Sequence, residues 1–360
     1  MYESLGLSMP APQAAVLFGL GLGVLFGALA QITRFCLRRA VAGDDAERRP
    51  AGGVWALALA TAILAVQAAV AGGWIAFDDH RFLAADLPVL AIVLGGLAFG
   101  AGMVLTRGCV SRQTVLLASG NLRSLTVLLV FAVVAHATLK GVLAPLRTSL
   151  GSVTLPLGDA TSLAALPGGA VVWAVALAAA LILFALRSGA RPRDLGLAVV
   201  IGALAAAGWV GTGYVLFDEF DPVAMESLSF TLPAAETIFW TLASSAVPAT
   251  FGVGLIGGTV LGAFLAAAAR REIAVQSFES PRQTGRYLTG AVLMGVGGVL
   301  AGGCTVGAGL SGVPTLSIAA ILALVSIIAG GAAINRALGV TRPTAGSGAQ
   351  AGTPEALPAE

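Results

Sequence analysis

Three cysteines, Cys36, Cys109 and Cys304, carry the chain's thiols, and two of them sit in copies of one motif. Cys304 lies in Gly302-Gly-Cys-Thr-Val-Gly-Ala-Gly309, and Cys109 in Arg107-Gly-Cys-Val-Ser111. Phe99–Cys109 aligns with Met294–Cys304, matching at Gly100, Gly102, Val104, Leu105, Gly108 and Cys109. A lone buried cysteine in an alanine-rich helix reads as a small hydrophobe. A thiol at one fixed position of a duplicated segment points to chemistry instead. A neutral thiol offers a weak donor and a soft, polarizable acceptor sulfur. It suits a ligand whose own sulfur is large and weakly hydrated, whereas hard oxyanions prefer arginine and backbone N–H groups. Thiolate also takes Cu(I) or zinc, but no His, Met or carboxylate stands beside these cysteines. No CxxC pair occurs, and an odd count cannot close fully into internal disulfides, so the three read as free thiols.

Polar neighbours extend the constellation. Arg107, Ser111 and Arg112 flank Cys109, and Thr305 and the Gly307 amide follow Cys304. A helix starting just past each break would aim free N–H groups at it, and such N-termini hold anions. These five residues are the candidates for anion contact. Arg107 and Arg112 have a second reading as ordinary topology signals. Cys36 lies among Arg34, Arg38 and Arg39 and is a candidate exit thiol. His136 and Lys140 share a helix face four residues apart. Intramembrane ionisable groups are functional candidates, but Lys140 can snorkel to the surface and His136 reads as packed and neutral. No GxxxxGK[ST] loop occurs, so ATP-driven transport by this chain alone is not expected. Nor is an enzymatic residue, a cofactor, a resident metal or a nucleic-acid partner.

The elements that must position these groups are membrane spans. The chain is 57% hydrophobic and 11% charged, with a mean hydropathy of +0.92; soluble domains do not look like this. Its apolar runs are long enough to cross ~30 Å of hydrocarbon. The pattern predicts an all-α polytopic membrane protein with about nine transmembrane helices. These cover roughly Ala14–Thr33, Val54–Phe77, Leu87–Leu105, Leu122–Leu143, Ala170–Leu186, Leu195–Phe217, Pro248–Ala269, Tyr287–Ala301 and Pro314–Ile334. Glu236–Ser245 reads as a short interfacial or re-entrant piece. Arginines mark alternate turns, which places those turns in the cytoplasm, the N-terminus in the periplasm and the C-terminus in the cytoplasm.

Under that count Cys109 is carried inward and Cys304 outward. The copies are then inverted, in a 4+1+4 repeat with re-entrant Gly/Cys loops inside a single transmembrane domain. Repeat one spans 14–143, the connecting span 144–194 and repeat two 195–334, and 343–360 reads as a disordered tail. A weaker echo, Gly27-Ala-Leu-Ala30 with Gly202-Ala-Leu-Ala205, places Gly211 opposite Cys36. Small-residue pairs such as Gly19 with Gly23 and Gly254 with Gly258 suit close helix packing. The Ala/Gly-rich style suggests a bacterial inner membrane.

At Arg107-Gly-Cys109-Val-Ser111, and above all at Gly302-Gly-Cys304-Thr-Val-Gly-Ala-Gly-Leu-Ser-Gly312, the sequence resembles the YeeE/YedE family of bacterial sulfur transporters. The resemblance covers nearly all of Leu17–Ile334. It implies an hourglass-shaped inner-membrane protein with an inverted repeat. It also implies thiosulfate import, the ion passing between thiols at the places held here by Cys36, Cys109 and Cys304. The implied partners are thiosulfate or a similar sulfur anion, membrane lipid and a small soluble sulfur-carrier protein. Other family members are linked to selenium or to unidentified sulfur compounds. Two rivals remain: a metal, metalloid or selenium-compound transporter, and a membrane sulfurtransferase. The first should show His, Met or carboxylate ligands beside the thiols, and the second a resolving cysteine pair.

Overall fold

Apolar segments in lipid must satisfy every backbone N–H and C=O internally, so they wind into helices. The computed structural model describes residues 9–219 and 221–339. Among these residues nine helical segments are long and apolar enough to cross a membrane. In chain order the helices are α1 (Ala11–Thr33), α2 (Leu37–Ala42), α3 (Asp45–Ala71), α4 (Val89–Leu105) and α5 (Val110–Ala118). They continue as α6 (Leu122–Lys140), α7 (Ala144–Gly151), α8 (Gly169–Leu186) and α9 (Pro192–Val210). The last four are α10 (Thr231–Ala243), α11 (Phe251–Ala269), α12 (Pro281–Leu300) and α13 (Ile318–Gly339). The only sheet among the described residues joins β1 (Asp86–Leu87) to β2 (Leu155–Pro156), antiparallel, with Asp86 opposite Pro156.

The nine runs read from the sequence all appear, the second shifted from the expected Val54–Phe77 to Asp45–Ala71, and several stretches differ locally. The stretch 144–168, expected to be an irregular loop, opens with α7. Pro145 sits in its first turn, where the missing N–H costs nothing. The piece expected at Glu236–Ser245 is α10, which starts earlier, at Thr231. The glycine-rich stretch after α12 is not open throughout: it breaks over Ala301–Cys304, and Thr305–Gly312 then winds into a π-helix. All eight of those π-helical residues are buried, so their backbone groups must pair despite the low helix propensity of glycine. The tail expected to be disordered, 343–360, lies outside the described residues.

Helix α1 packs along α11, α3 lies against α8 and α9, α4 against α12 and α13, and α6 against α12. Glycine sets the closest of these approaches. A Cβ on Gly23 would strike the Leu255 carbonyl, and one on Gly258 would strike that of Leu20. Gly257, one residue away, faces open space. The centre is filled by Phe26, Phe99, Phe131 and Phe230, all fully buried; the rings of Phe26 and Phe230 lie 5.2 Å apart. Helix α8 is the most peripheral span. It buries Ala174, Ala178 and Ala185 and leaves Val171, Val172 and Leu186 exposed, as a lipid-facing helix does.

Candidate functional site

One backbone turn is built three times. Two residues before each cysteine the chain takes a left-handed conformation: Arg34 (φ 53°) before Cys36, Arg107 (φ 59°) before Cys109, and Gly302 (φ 74°) before Cys304. Each cysteine is then extended and caps the next segment, α2, α5 or the Thr305–Gly312 π-helix. Gly302 adopts this shape freely. For an arginine the conformation costs on the order of 1–3 kcal/mol, and such strain persists only where surroundings fix it. At Gly211, which the sequence echo pairs with Cys36, no such turn is built. Its φ is −62° and α9 runs on through it as a π-helix over Gly211–Val215, with the Phe18 ring against the glycine.

The three turns bring the thiols into series. Cys36, Cys109 and Cys304 are free and buried, 6%, 1% and 0% exposed. The Cys109 thiol lies near enough to Cys36 and to Cys304 to interact electrostatically with both. It also shares a hydrogen bond with Ser111 Oγ at 3.2 Å and interacts with Thr305. The Gly307 N–H donates to Cys304 Sγ at 3.4 Å, within the first turn of the π-helix. The proximity of Cys36 to Cys109 is not legible in their spacing along the chain.

Each break is braced by its own hydrogen bonds. Around Cys109, Gln113 Nε2 donates to the Thr106 carbonyl at 2.7 Å, and Ser124 Oγ donates to Gln113 Oε1 at 2.6 Å. Thr106 Oγ1 spans the turn to Gly108 O at 2.9 Å. Beyond Cys304, Trp209 Nε1 donates to Ser311 O at 3.0 Å, and Ser311 Oγ donates to Leu228 O at 2.7 Å. Buried, fully paired polar groups of this kind hold one geometry.

A cavity opens towards each end of the thiol series. One, of about 470 Å³, has Cys36 in its wall among Arg34, Arg39, Arg191, Arg193 and Arg270. The other, of about 310 Å³, is lined by Asp79, His80, Arg81, Glu226 and Ser229 and reaches Gly307 and Ser311. Cys109 and Cys304 line neither. Of the predicted anion contacts, Ser111, Arg112, Thr305 and Gly307 come to the thiols. The Arg112 guanidinium lies within electrostatic reach of Cys36 and Cys109, and its Nη1 is buried with no hydrogen-bond partner. Arg107 does not join them. It lines a separate polar cavity of about 500 Å³ with Gln113, Asn121 and Tyr287.

The residues of the second vestibule escaped sequence reasoning. Asp78–Arg81 reads as an ordinary acidic loop, and Glu226 is a single carboxylate in a polar linker. Here His80 packs edge-on to Trp209 at 5.1 Å, and burial lowers its pKa to about 4. Arg81 is exposed at the vestibule, and desolvation by the surrounding protein lowers its pKa. Burial, aided by Glu236 and opposed by Arg81, raises Glu226 to about 7.

Known proteins share this chain's pattern. The thiosulfate transporter TsuA of Escherichia coli K12 is 28% identical over 327 residues, covering 82% of this chain and 86% of the relative. The thiosulfate transporter TsuA of Spirochaeta thermophila is 27% identical over 258 residues, covering 68% of this chain and 76% of the relative. The family model for sulphur transport matches residues 32–333, which takes in all three cysteines and both vestibules. The chain therefore belongs to the YeeE/YedE sulphur transport family.

Proposed function

We propose that this protein imports thiosulfate, or a closely related small sulfur anion, across the bacterial inner membrane, handing the ion along Cys304, Cys109 and Cys36. The observation that carries this reading is the set of three buried free thiols that interact with one another, with one cavity walled by Cys36 and another reaching the Gly307 turn beside Cys304. The terminal sulfur of thiosulfate is large and weakly hydrated, so S–H donors can replace its water. Its oxygens need harder donors, which Arg112 and the Gly307 amide offer beside the thiols. The similarity to two thiosulfate transporters points the same way.

The arginine-lined vestibule faces the cytoplasm in this proposal and the Asp79–Glu226 vestibule faces the periplasm, in keeping with the arginine bias of alternate turns. The inverted repeat belongs to the proposal too. If α1 corresponds to α9 and α3 to α11, then α1 against α11 and α3 against α9 are one contact made twice. The contacts α4 with α13 and α6 with α12 pair in the same way. A soluble sulfur carrier would receive the ion at the arginine-rich face. Importing a dianion against a negative interior costs about 2.3 kcal/mol per charge per 100 mV, or about 4.6 kcal/mol for thiosulfate. The conduit lowers the barrier and does not itself supply that energy.

The test is growth. A strain whose sole thiosulfate route is this protein should grow with thiosulfate as the only sulfur source and fail when the gene is deleted. Growth unaffected by the deletion, or no growth with the protein in the membrane, contradicts import. In the same cells, with native thiols removed, an impermeant thiol reagent should label Asp79→Cys and not Arg38→Cys; the reverse pattern would invert the proposed orientation.

A further inference from the structure

We infer that the Asp79–Glu226 vestibule is a capture site for a small divalent oxyanion. Arg81 and Ser229 would hold the ion above the Gly307 floor, and the Glu226 carboxyl must be protonated for the ion to stay. This deepens the import reading and rests on it for the identity of the ion.

Arg81 is the one Lys or Arg lining this cavity among the described residues. It is held by its neighbour, with the guanidinium carbon 5.1 Å from the centre of the Phe82 ring. It forms no salt bridge to a carboxylate among the described residues. Its donor fork is therefore open to a ligand in the vestibule. Ser229 adds a hydroxyl beside Gly307, so close that a Cβ on the glycine would lie 2.8 Å from Ser229 Oγ. That hydroxyl makes no hydrogen bond among the described residues. A guanidinium, a free hydroxyl and a backbone turn leading to Cys304 thus converge on one cavity of about 310 Å³.

Two carboxylates line the cavity, Asp79 and Glu226, and Glu226 is the one that acts on Arg81. Its backbone is pinned from both sides by Thr212, whose Oγ1 donates to Glu226 O at 2.7 Å and accepts from Glu226 N at 2.9 Å. The charged and titratable groups around it are few. Asp79, His80 and Arg81 face it from the 78–83 loop, and Glu236 faces it from α10. His136 and Lys140 on α6 act on Glu236 in turn. His80 is uncharged at neutral pH because burial holds its pKa near 4, so it is not the titrating group. With Glu226 ionised, its charge offsets Arg81 and repels a dianion. With Glu226 protonated, Arg81 is relieved of that offset and the carboxyl adds an O–H donor. An arriving dianion favours protonated Glu226, so capture takes up a proton. Glu226 titrates near pH 7. The competent fraction is therefore nearly complete at pH 6 and about a tenth at pH 8, which weakens apparent affinity about tenfold.

The experiment measures the KM of labelled thiosulfate uptake into cells at external pH 6 and 8. For the wild type, KM should rise about tenfold between the two with little change in maximal rate. Glu226→Gln should remove most of that rise, giving a KM at pH 8 about tenfold below wild type. Arg81→Gln should raise KM at both pH values. Glu226→Gln with the wild-type pH profile, or Arg81→Gln with unaltered KM, overturns the inference. If Glu226→Gln fails to assemble, Glu226→Ala makes the same comparison. Absence of wild-type uptake at both pH values would instead defeat the import reading. Equilibrium binding of thiosulfate to the purified protein then decides this site: binding that weakens from pH 6 to 8 in the wild type and not in Glu226→Gln supports it, and any other pattern overturns it.

Discussion

Thiosulfate uptake is expected to fall to the background of protein-free vesicles when Cys109 is replaced by alanine. Cys109 is the thiol that interacts with both Cys36 and Cys304, so no other residue can bridge them. Alanine removes both the S–H donor and the soft acceptor sulfur. It leaves a methyl group in a site 1% exposed to solvent, where water cannot readily take the role. The fold should survive, because deleting one buried sulfur costs about 1–2 kcal/mol and the turn is held by Gln113, Ser124 and Thr106. Cys109→Ser keeps a hydroxyl but loses polarizability and should also fail or nearly fail. Cys304→Ala should match the loss, since it also strips the Gly307 N–H of its partner. The readout is initial uptake rate against the amount of monodisperse protein in the membrane. Uptake at the wild-type rate by both alanine variants would reduce these cysteines to packing.

Arg112→Gln is expected to slow uptake by roughly 10- to 100-fold. A buried charged donor without a partner is costly, and Arg112 Nη1 is in that position beside Cys36 and Cys109. An anion leaving Cys109 would supply the missing acceptor. A charge-assisted hydrogen bond contributes about 1.5–3 kcal/mol, which converts to the stated range. Arg112→Lys should recover part of the rate, since it restores charge without the planar fork. Arg107→Gln is the comparison, because Arg107 lines a different cavity; its effect should stay within about twofold. Equal losses at Arg107 and Arg112 would mean that both act through general surface charge.

Much of this arrangement is legible in the sequence, for identifiable reasons. Apolar runs in lipid have no alternative to the helix, so nine spans could be counted from hydropathy alone. The breaks at Cys109 and Cys304 announced themselves through duplication and glycine. What stayed hidden was mostly non-local. The left-handed turns at Arg34 and Arg107 carry no composition signal, because arginine is not a residue expected at positive φ. Cys36 has no twin in the second half, so nothing in its spacing announced contact with Cys109. Burial wound Thr305–Gly312 into a π-helix against its propensity. The Arg81–Glu226 vestibule joins loops far apart in the chain, each of which alone looks like solvated surface.

The central claim is that the thiols pass the ion along without reacting with it. A sulfurtransferase would work differently. A cysteine thiolate would attack the outer sulfur of thiosulfate, sulfite would leave with the bonding electron pair, and a persulfide would remain on the enzyme. The two cases separate in one measurement, uptake into soluble-enzyme-free vesicles of thiosulfate labelled independently at its two sulfur atoms. The thiol series predicts both labels inside in equal amounts, with mass spectrometry finding Cys36, Cys109 and Cys304 unmodified. Entry of the outer sulfur alone, with a persulfide on any of the three cysteines and labelled sulfite left outside, would contradict it.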